Sequence, residues 1–188
     1  MMGKSIVLVG PRGSGKTVIG KKLSETLNVD FLDADDLFIK VFGEIYDFTE
    51  TKGWEKFRRY ESRIIEKVCS SYKKQIVFST GGGSVAHNQG EEYREKNISL
   101  LSSFGTVVYL LPSANLEESA RILYERTKKD ERTEAQRPSL TEKKDPFQEM
   151  LEKVKERHRF YIYASHALAY TKGKTIEEVA EEISVFAR

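Results

Sequence analysis

The sequence predicts an α/β fold: a parallel sheet with helices packed on both of its faces. Three observations predict it. Short apolar runs alternate with longer stretches of helical period, the order expected of strand–helix–strand units. The first run, SIVLV at Ser5–Val9, is apolar along almost its whole length, as a strand buried on both faces requires. The chain has 188 residues, 39% of them hydrophobic and 32% charged, which suits one domain with one sizeable core better than two.

Each element has its own reason. After Ser5–Val9 comes a glycine-rich turn, and then Ile19, Leu23 and Leu27 recur every fourth residue, so Lys16 to Leu27 reads as a helix. VDFLDAD (29–35) is a second short strand, and DLFIKVF (36–42) and Thr51 to Tyr72 are helical. QIVFST (75–80) is a third strand, ending at Gly81, Gly82 and Gly83. TVVYLL (106–111) is a fourth, stopped by Pro112. Leu116 to Thr127 is helical, with Leu116, Ala120 and Leu123 on one side. Lys128 to Lys144 has almost no apolar residue and reads as an exposed loop. Asp145 and Pro146 open the next helix as cap and first residue. ALAYT (167–171) is a weak fifth strand, and Thr175 starts a last helix, with Glu178 completing a capping box.

Composition narrows the function. A formal net charge of +2 favours neither a nucleic-acid nor a membrane partner. The N-terminal apolar run spans about five residues, shorter than an export signal needs, and leads into the glycine turn. No stretch reaches the ~18 apolar residues of a spanning helix, so a cytoplasmic protein is expected. The single cysteine, Cys69, shares a helical face with Ile65 and Tyr72 and reads as a core thiol. His87, His158 and His166 lack metal-ligand spacing.

The glycine turn carries the first chemistry. Gly10, Gly15, Lys16 and Thr17 fit G-x-x-x-x-G-K-[ST] between a strand and a helix. Glycines let successive backbone N–H groups face one hollow, and the helix N-terminus adds partial positive charge for phosphate oxygens. Lys16 is placed for the β- and γ-phosphates and the Thr17 hydroxyl for Mg²⁺. Arg12 stands at a variable position of the loop and by itself reads as a surface arginine.

The acceptor side is assembled from strand tips, since open parallel sheets bind ligands beyond the C-terminal ends of their strands. The second strand brings Asp33, Asp35 and Asp36 to that rim and the third brings STGGG. A helix cap with first-turn charge accounts for one or two of the acids as well as a site does. In GWEKFRRYE, Trp54 and Arg58 are four residues apart, as are Phe57 and Glu61, so the pairs occupy adjoining faces of one helix. A solvated amphipathic helix explains that segment equally well. Two further arginines stand at Arg137, in QRPSL, and at Arg157, in KERHRFYIY.

The ordered set GPRGSGKTVIG, FLDAD, GEIYDF with GWEKFRRYE, STGGGSV, RPSL and ERHRFY resembles the shikimate kinase family along nearly the whole chain. The resemblance implies a P-loop, nucleoside-monophosphate-kinase-like three-layer sandwich with five parallel strands in the order 2-3-1-4-5. It implies a single kinase domain over 1–188, with a substrate-binding helical segment at about 34–62 and a mobile lid at about 128–144. The implied reaction is ATP-dependent phosphorylation of the 3-hydroxyl of shikimate, with Mg²⁺ as cofactor, by a cytoplasmic monomer that binds neither nucleic acid nor membrane.

Position by position, Gly10, Arg12, Gly13, Ser14, Gly15, Lys16 and Thr17 are then the ATP loop. Thr17 and Asp33 hold the metal, and Asp35 grips the attacking hydroxyl as base. Arg58 and Arg157 bind the substrate carboxylate, while Gly81, Gly82 and Gly83 lie against the ring. Arg137 closes over the phosphates, and Arg126 or Arg132 flanks the adenine. The chain departs from the family pattern at Trp54, in place of a usual Glu, at RPSL, at Arg159-Phe160, in place of Pro-Leu, and in a longer lid. Two other functions fit parts of the set. A gluconate kinase shares the architecture, but the triple glycine and F-R-x-x-E argue against it. A regulatory module without catalysis is opposed by the presence of Lys16, Thr17, Asp33, Asp35 and Arg137.

Overall fold

Successive side chains of a strand point to opposite faces, and β1 (Ser5–Val9) is buried at every position. In the computed structural model, which describes residues 4–88, 90–128 and 145–187, Ile6 and Leu8 enter one core and Val7 and Val9 the other. Such a strand belongs at the centre of a sheet. β1 pairs in parallel with β3 (Ile76–Ser79) on one side and β4 (Gly105–Leu111) on the other. β2 (Asp30–Asp33) and β5 (Ala167–Tyr170) close the edges, also in parallel. The order is β2-β3-β1-β4-β5, as the resemblance implies.

The first face carries α1 (Lys16–Leu27), through Ile19 and Leu23, and the last helix, α8 (Ile176–Ser184), through Val179, Ala180 and Ile183. The opposite face carries α4 (Trp54–Ser71), α5 (Glu91–Phe104) and α7 (Pro146–Ala164), through Ile65, Val68, Leu101, Tyr161 and Ala164. α6 (Leu116–Lys128) packs on α7 in a smaller cluster of Ala120, Leu123, Met150, Leu151 and Val154. Between β2 and α4 lie α2 (Ala34–Phe42) and α3 (Ile45–Lys52). The helix starts read from sequence stand: Asp145 caps α7 with Pro146 in its first turn, and Thr175 and Glu178 form a complete capping box on α8.

Two expectations need correction, and one helix went unread. The helix expected from Thr51 to Tyr72 is two helices, because Gly53 takes φ 82°, ψ 160° between α3 and α4, a conformation that suits glycine. α5 carries little apolar period: its buried positions are Arg94, Asn97 and Leu101, two of them polar, so the helix is invisible to a hydrophobic pattern. The second strand ends at Asp33 rather than Asp35, since Asp33 turns the chain as the N-cap of α2. Cys69 is half-buried against the core, and burial pushes its thiol up to about 11. Residues 129–144 of the expected lid, with Arg132 and Arg137, lie outside the described residues. No helix among the described residues is long and apolar enough to cross a membrane.

Candidate active site

The glycine turn leaves the C-terminal end of β1 and closes on the first turn of α1, with Gly15 as N-cap. The Lys16 ammonium donates to the carbonyls of Gly10 (2.9 Å) and Pro11 (3.1 Å), folded back over its own loop. Burial lowers its pKa, while the charges of Asp35 and Asp33 pull the other way. Ser14 is fully buried, yet its hydroxyl has no hydrogen-bond partner among the described residues. A buried orphan of this kind needs an explanation, and a phosphate oxygen seated in the loop supplies one. Arg126, on α6, donates to the Gly13 carbonyl at 3.2 Å. It is one of the two arginines expected near the adenine; the other, Arg132, lies outside the described residues.

The acid cluster separates into three roles. The Thr17 hydroxyl donates to Asp33 Oδ2 at 2.9 Å, and Asp33 Oδ1 accepts the Asp35 backbone N–H at 3.0 Å. One carboxylate therefore caps α2 and, through Thr17, also reaches the phosphate loop. Asp36 is exposed in the first turn of α2. Asp35 is half-buried: desolvation first, then the charges of Glu61 and Asp33, push its carboxyl up to about 7, against the pull of Lys16 and Arg58.

The triple glycine forms the third wall. A Cβ on Gly81 would lie 2.5 Å from Glu61 Oε1 and 2.7 Å from Asp35 Oδ1, and one on Gly83 would lie 2.3 Å from Arg58 Nη2. Charged atoms from α2 and α4 thus press against this backbone, and only glycine leaves them room. At Gly82 the nearest atom to such a Cβ is the Arg12 backbone N, 3.3 Å away, so the shelf abuts the phosphate loop. Arg12 itself is exposed, with its charge near enough to oppose that of Lys16.

Arg58 and Glu61 are not a solvated face. They are 7% and 3% exposed and form an ion pair at 2.7 Å. A buried pair persists only when its remaining hydrogen-bonding capacity is satisfied. The second Glu61 oxygen accepts from the Ser84 hydroxyl at 2.7 Å, and Asn97 on α5 donates to the Ser84 carbonyl at 2.8 Å. The Arg58 guanidinium lies 5.4 Å from the Trp54 ring and 5.0 Å from Phe57, within cation–π range. Phe38 joins α2, α3 and α4 by ring contacts at 4.9 Å to Phe42, 5.1 Å to Phe48 and 4.8 Å to Phe57. Arg157 approaches from α7, next to Tyr161, whose hydroxyl donates to the Gly82 carbonyl.

The structure therefore gathers Lys16, Thr17, Asp33, Asp35, Arg58 and the glycine shelf at one rim. Glu61, Ser84, Asn97 and Tyr161 join them without having been assigned a site role from sequence. Glu61 was legible in part, three residues after Arg58 on one helix; Ser84 stands inside STGGGSV without a role of its own, and Asn97 gave no signal. No group of three or more His, Cys, Asp or Glu side chains suited to a metal occurs among the described residues. Thr17 and Asp33 fit Mg²⁺ in another way. They put two hard oxygens beside the phosphate loop, and Mg²⁺ takes one or two protein ligands and completes its shell with phosphates and water.

Comparison with known proteins gives a consistent result. The family model described as shikimate kinase matches residues 12–188. A shikimate kinase of Francisella tularensis subsp. holarctica is 36% identical over 185 residues, 97% of this chain and 94% of that protein. The structure of shikimate kinase from Acinetobacter baumannii in complex with shikimate has a TM-score of 0.79 at 28% identity, over 97% of this chain and 91% of that one. Shikimate kinase from Aquifex aeolicus has a TM-score of 0.70 at 28% identity, over 96% and 94%.

Proposed function

The chain belongs to the shikimate kinase family, and on that premise we propose how its own residues carry out the family's reaction. It is a kinase that phosphorylates shikimate with ATP. The acceptor atom is the 3-hydroxyl and the products are shikimate 3-phosphate and ADP. The observation that carries the assignment of residues is the convergence of Asp35, Glu61 and Arg58 on Gly81 and Gly83, beside a loop built for oligophosphate.

Phosphoryl transfer asks a protein for positioning and for charge stabilisation. ATP places its phosphates in the loop of Gly10, Arg12, Gly13, Ser14 and Gly15, where Lys16 exchanges its carbonyl partners for phosphate oxygens. Thr17 and Asp33 hold Mg²⁺, which supplies neutralising charge at the phosphates. Shikimate lies on the shelf of Gly81, Gly82 and Gly83, with its carboxylate between Arg58 and Arg157, because a guanidinium offers a planar carboxylate a fork of two donors. Asp35 accepts the proton of the 3-hydroxyl as its oxygen bonds to the γ-phosphorus and the bond to the β-phosphate oxygen breaks. A carboxyl near pKa 7 is well matched to that task at neutral pH. Glu61 keeps the Arg58 fork oriented. The acceptor site is built on the helical segment of about 34–62, and Arg137 and the lid complete the phosphate side. The reaction is that of a cytoplasmic enzyme.

The test is ADP release measured by a coupled assay with a panel of hydroxy acids. Turnover with shikimate and little with gluconate is expected. Equal use of both, or of a shikimate analogue carrying a hydroxymethyl group in place of the carboxylate, would rule out the arginine clamp.

A further inference from the structure

We propose that Tyr161 is a positioning residue for the acceptor: its hydroxyl ties α7, one turn from Arg157, to Gly82, so that the carboxylate-binding arginine and the surface under the substrate ring keep one fixed relation. The proposal rests on the acceptor-site reading above. Tyr161 is one turn beyond Arg157 on α7, on the same side of the helix, and the Arg157 charge reaches its hydroxyl. A phenol both donates and accepts; here its O–H donates to the Gly82 carbonyl. The charges of Arg58 and Glu61 also reach this hydroxyl, so it sits among the groups assigned to the acceptor carboxylate.

The ring has no freedom of its own. Tyr161 is 1% exposed and stacks on Tyr109, with centroids 4.8 Å apart and planes 22° apart. The Tyr109 hydroxyl meets His158 Nδ1 at 3.2 Å, so α7 holds the stack both through Tyr161 itself and through His158. Core packing alone would be served by phenylalanine; a buried phenol takes a partner for its hydroxyl, and here that partner, the Gly82 carbonyl, belongs to the site. Burial pushes the phenol up to about 12, so it remains a donor at neutral pH.

The experiment is steady-state kinetics on Tyr161→Phe, Arg157→Lys, the double variant and Tyr109→Phe, with thermal unfolding of each. Tyr161→Phe is expected to raise KM for shikimate about tenfold, the scale of one lost buried partner, and to leave KM for ATP within about twofold. The double variant should lose less than the product of the two single effects, because both act on one relation, that of α7 to the shelf. Tyr109→Phe removes a hydroxyl from the same stack without touching the shelf and should leave shikimate KM unchanged. An unchanged shikimate KM in Tyr161→Phe, a parallel rise for ATP, or an equal rise in Tyr109→Phe overturns the proposal. If Arg157→Lys leaves shikimate KM unchanged, the carboxylate clamp itself is wrong. If Arg157→Lys raises it and Tyr161→Phe does not, only the role of Tyr161 fails.

Discussion

Asp35 shows the conflict between stability and function at the level of one residue. Its carboxyl rises from 3.8 to about 7 because it is desolvated beside Glu61 and Asp33. Below the lower value both folded and unfolded chains hold the proton. As pH rises from about 4 to 7 the unfolded chain ionises while the folded site resists, so folding stability from this group falls across that window and is lost above it. Asp35→Asn removes the penalty. It should raise Tm relative to the unmodified protein at pH 8 and by much less at pH 4, as calorimetry would show. The same change should lower kcat by ~10²–10⁴-fold, the usual scale of a lost general base, and erase an acid limb near pH 7 in the profile of kcat/KM for shikimate. Retention of that limb in Asp35→Asn would assign it to another group. Arg58 makes the complementary case. Arg58→Lys keeps the charge but not the fork, so shikimate KM should rise about tenfold or more while ATP KM stays level.

At the scale of elements, the shelf after β3 is the most constrained piece of backbone. Gly81 has carboxylate oxygens of Glu61 and Asp35 where a methyl group would go, and both carboxylates are held from behind by Ser84, Arg58 and the start of α2. Gly81→Ala therefore displaces the base rather than unfolding the strand. A misplacement of about 1 Å costs roughly 10²-fold in rate, so kcat should fall by that order while circular dichroism and Tm stay close to the unmodified protein. A large loss of Tm would mean that the side chains behind the shelf cannot yield. The capping box of α8 lies on the opposite face of the sheet. Thr175→Ala should cost about 1 kcal/mol of stability with no change in either KM, a difference that denaturant titration and initial rates resolve together.

For the whole molecule, the parallel sheet grades stability from its centre to its edges. β1 is buried on both faces and paired on both edges, whereas β2 and β5 each have one paired edge and partly exposed residues. Opening free energies follow burial and pairing. Native-state hydrogen exchange should therefore be slowest for amides of β1 and β4 and faster by orders of magnitude for β5. Equal protection across all five strands would contradict the layered core. The strand order also explains why distant segments share a rim: β1, β2 and β3 lie side by side, and parallel pairing brings all their C-terminal ends to the same edge.

The sequence by itself determined the alternation of strands and helices, the phosphate loop and the helix caps, because each rests on local physics: side-chain period, glycine conformation and a cap within a few residues. The ordered motifs also carried the family resemblance that led to the strand order. Only the resemblance distinguishes Asp33 from Asp35 at the level of sequence; the physical difference among the three acids is tertiary. Asp33 caps α2 and accepts from Thr17, Asp35 is half-buried beside Glu61, and Asp36 faces solvent. α5 went unseen because it buries Arg94 and Asn97, and a polar residue looks exposed until the partner that satisfies it arrives from elsewhere in the chain, as the Ser84 carbonyl does for Asn97. Tyr161 reads as one more core aromatic until Gly82, from a loop on the far side of β4 in sequence, receives its hydrogen bond. Burial and hydrogen-bond pairing over long sequence separations set these roles, and neither is a property of any local stretch of chain.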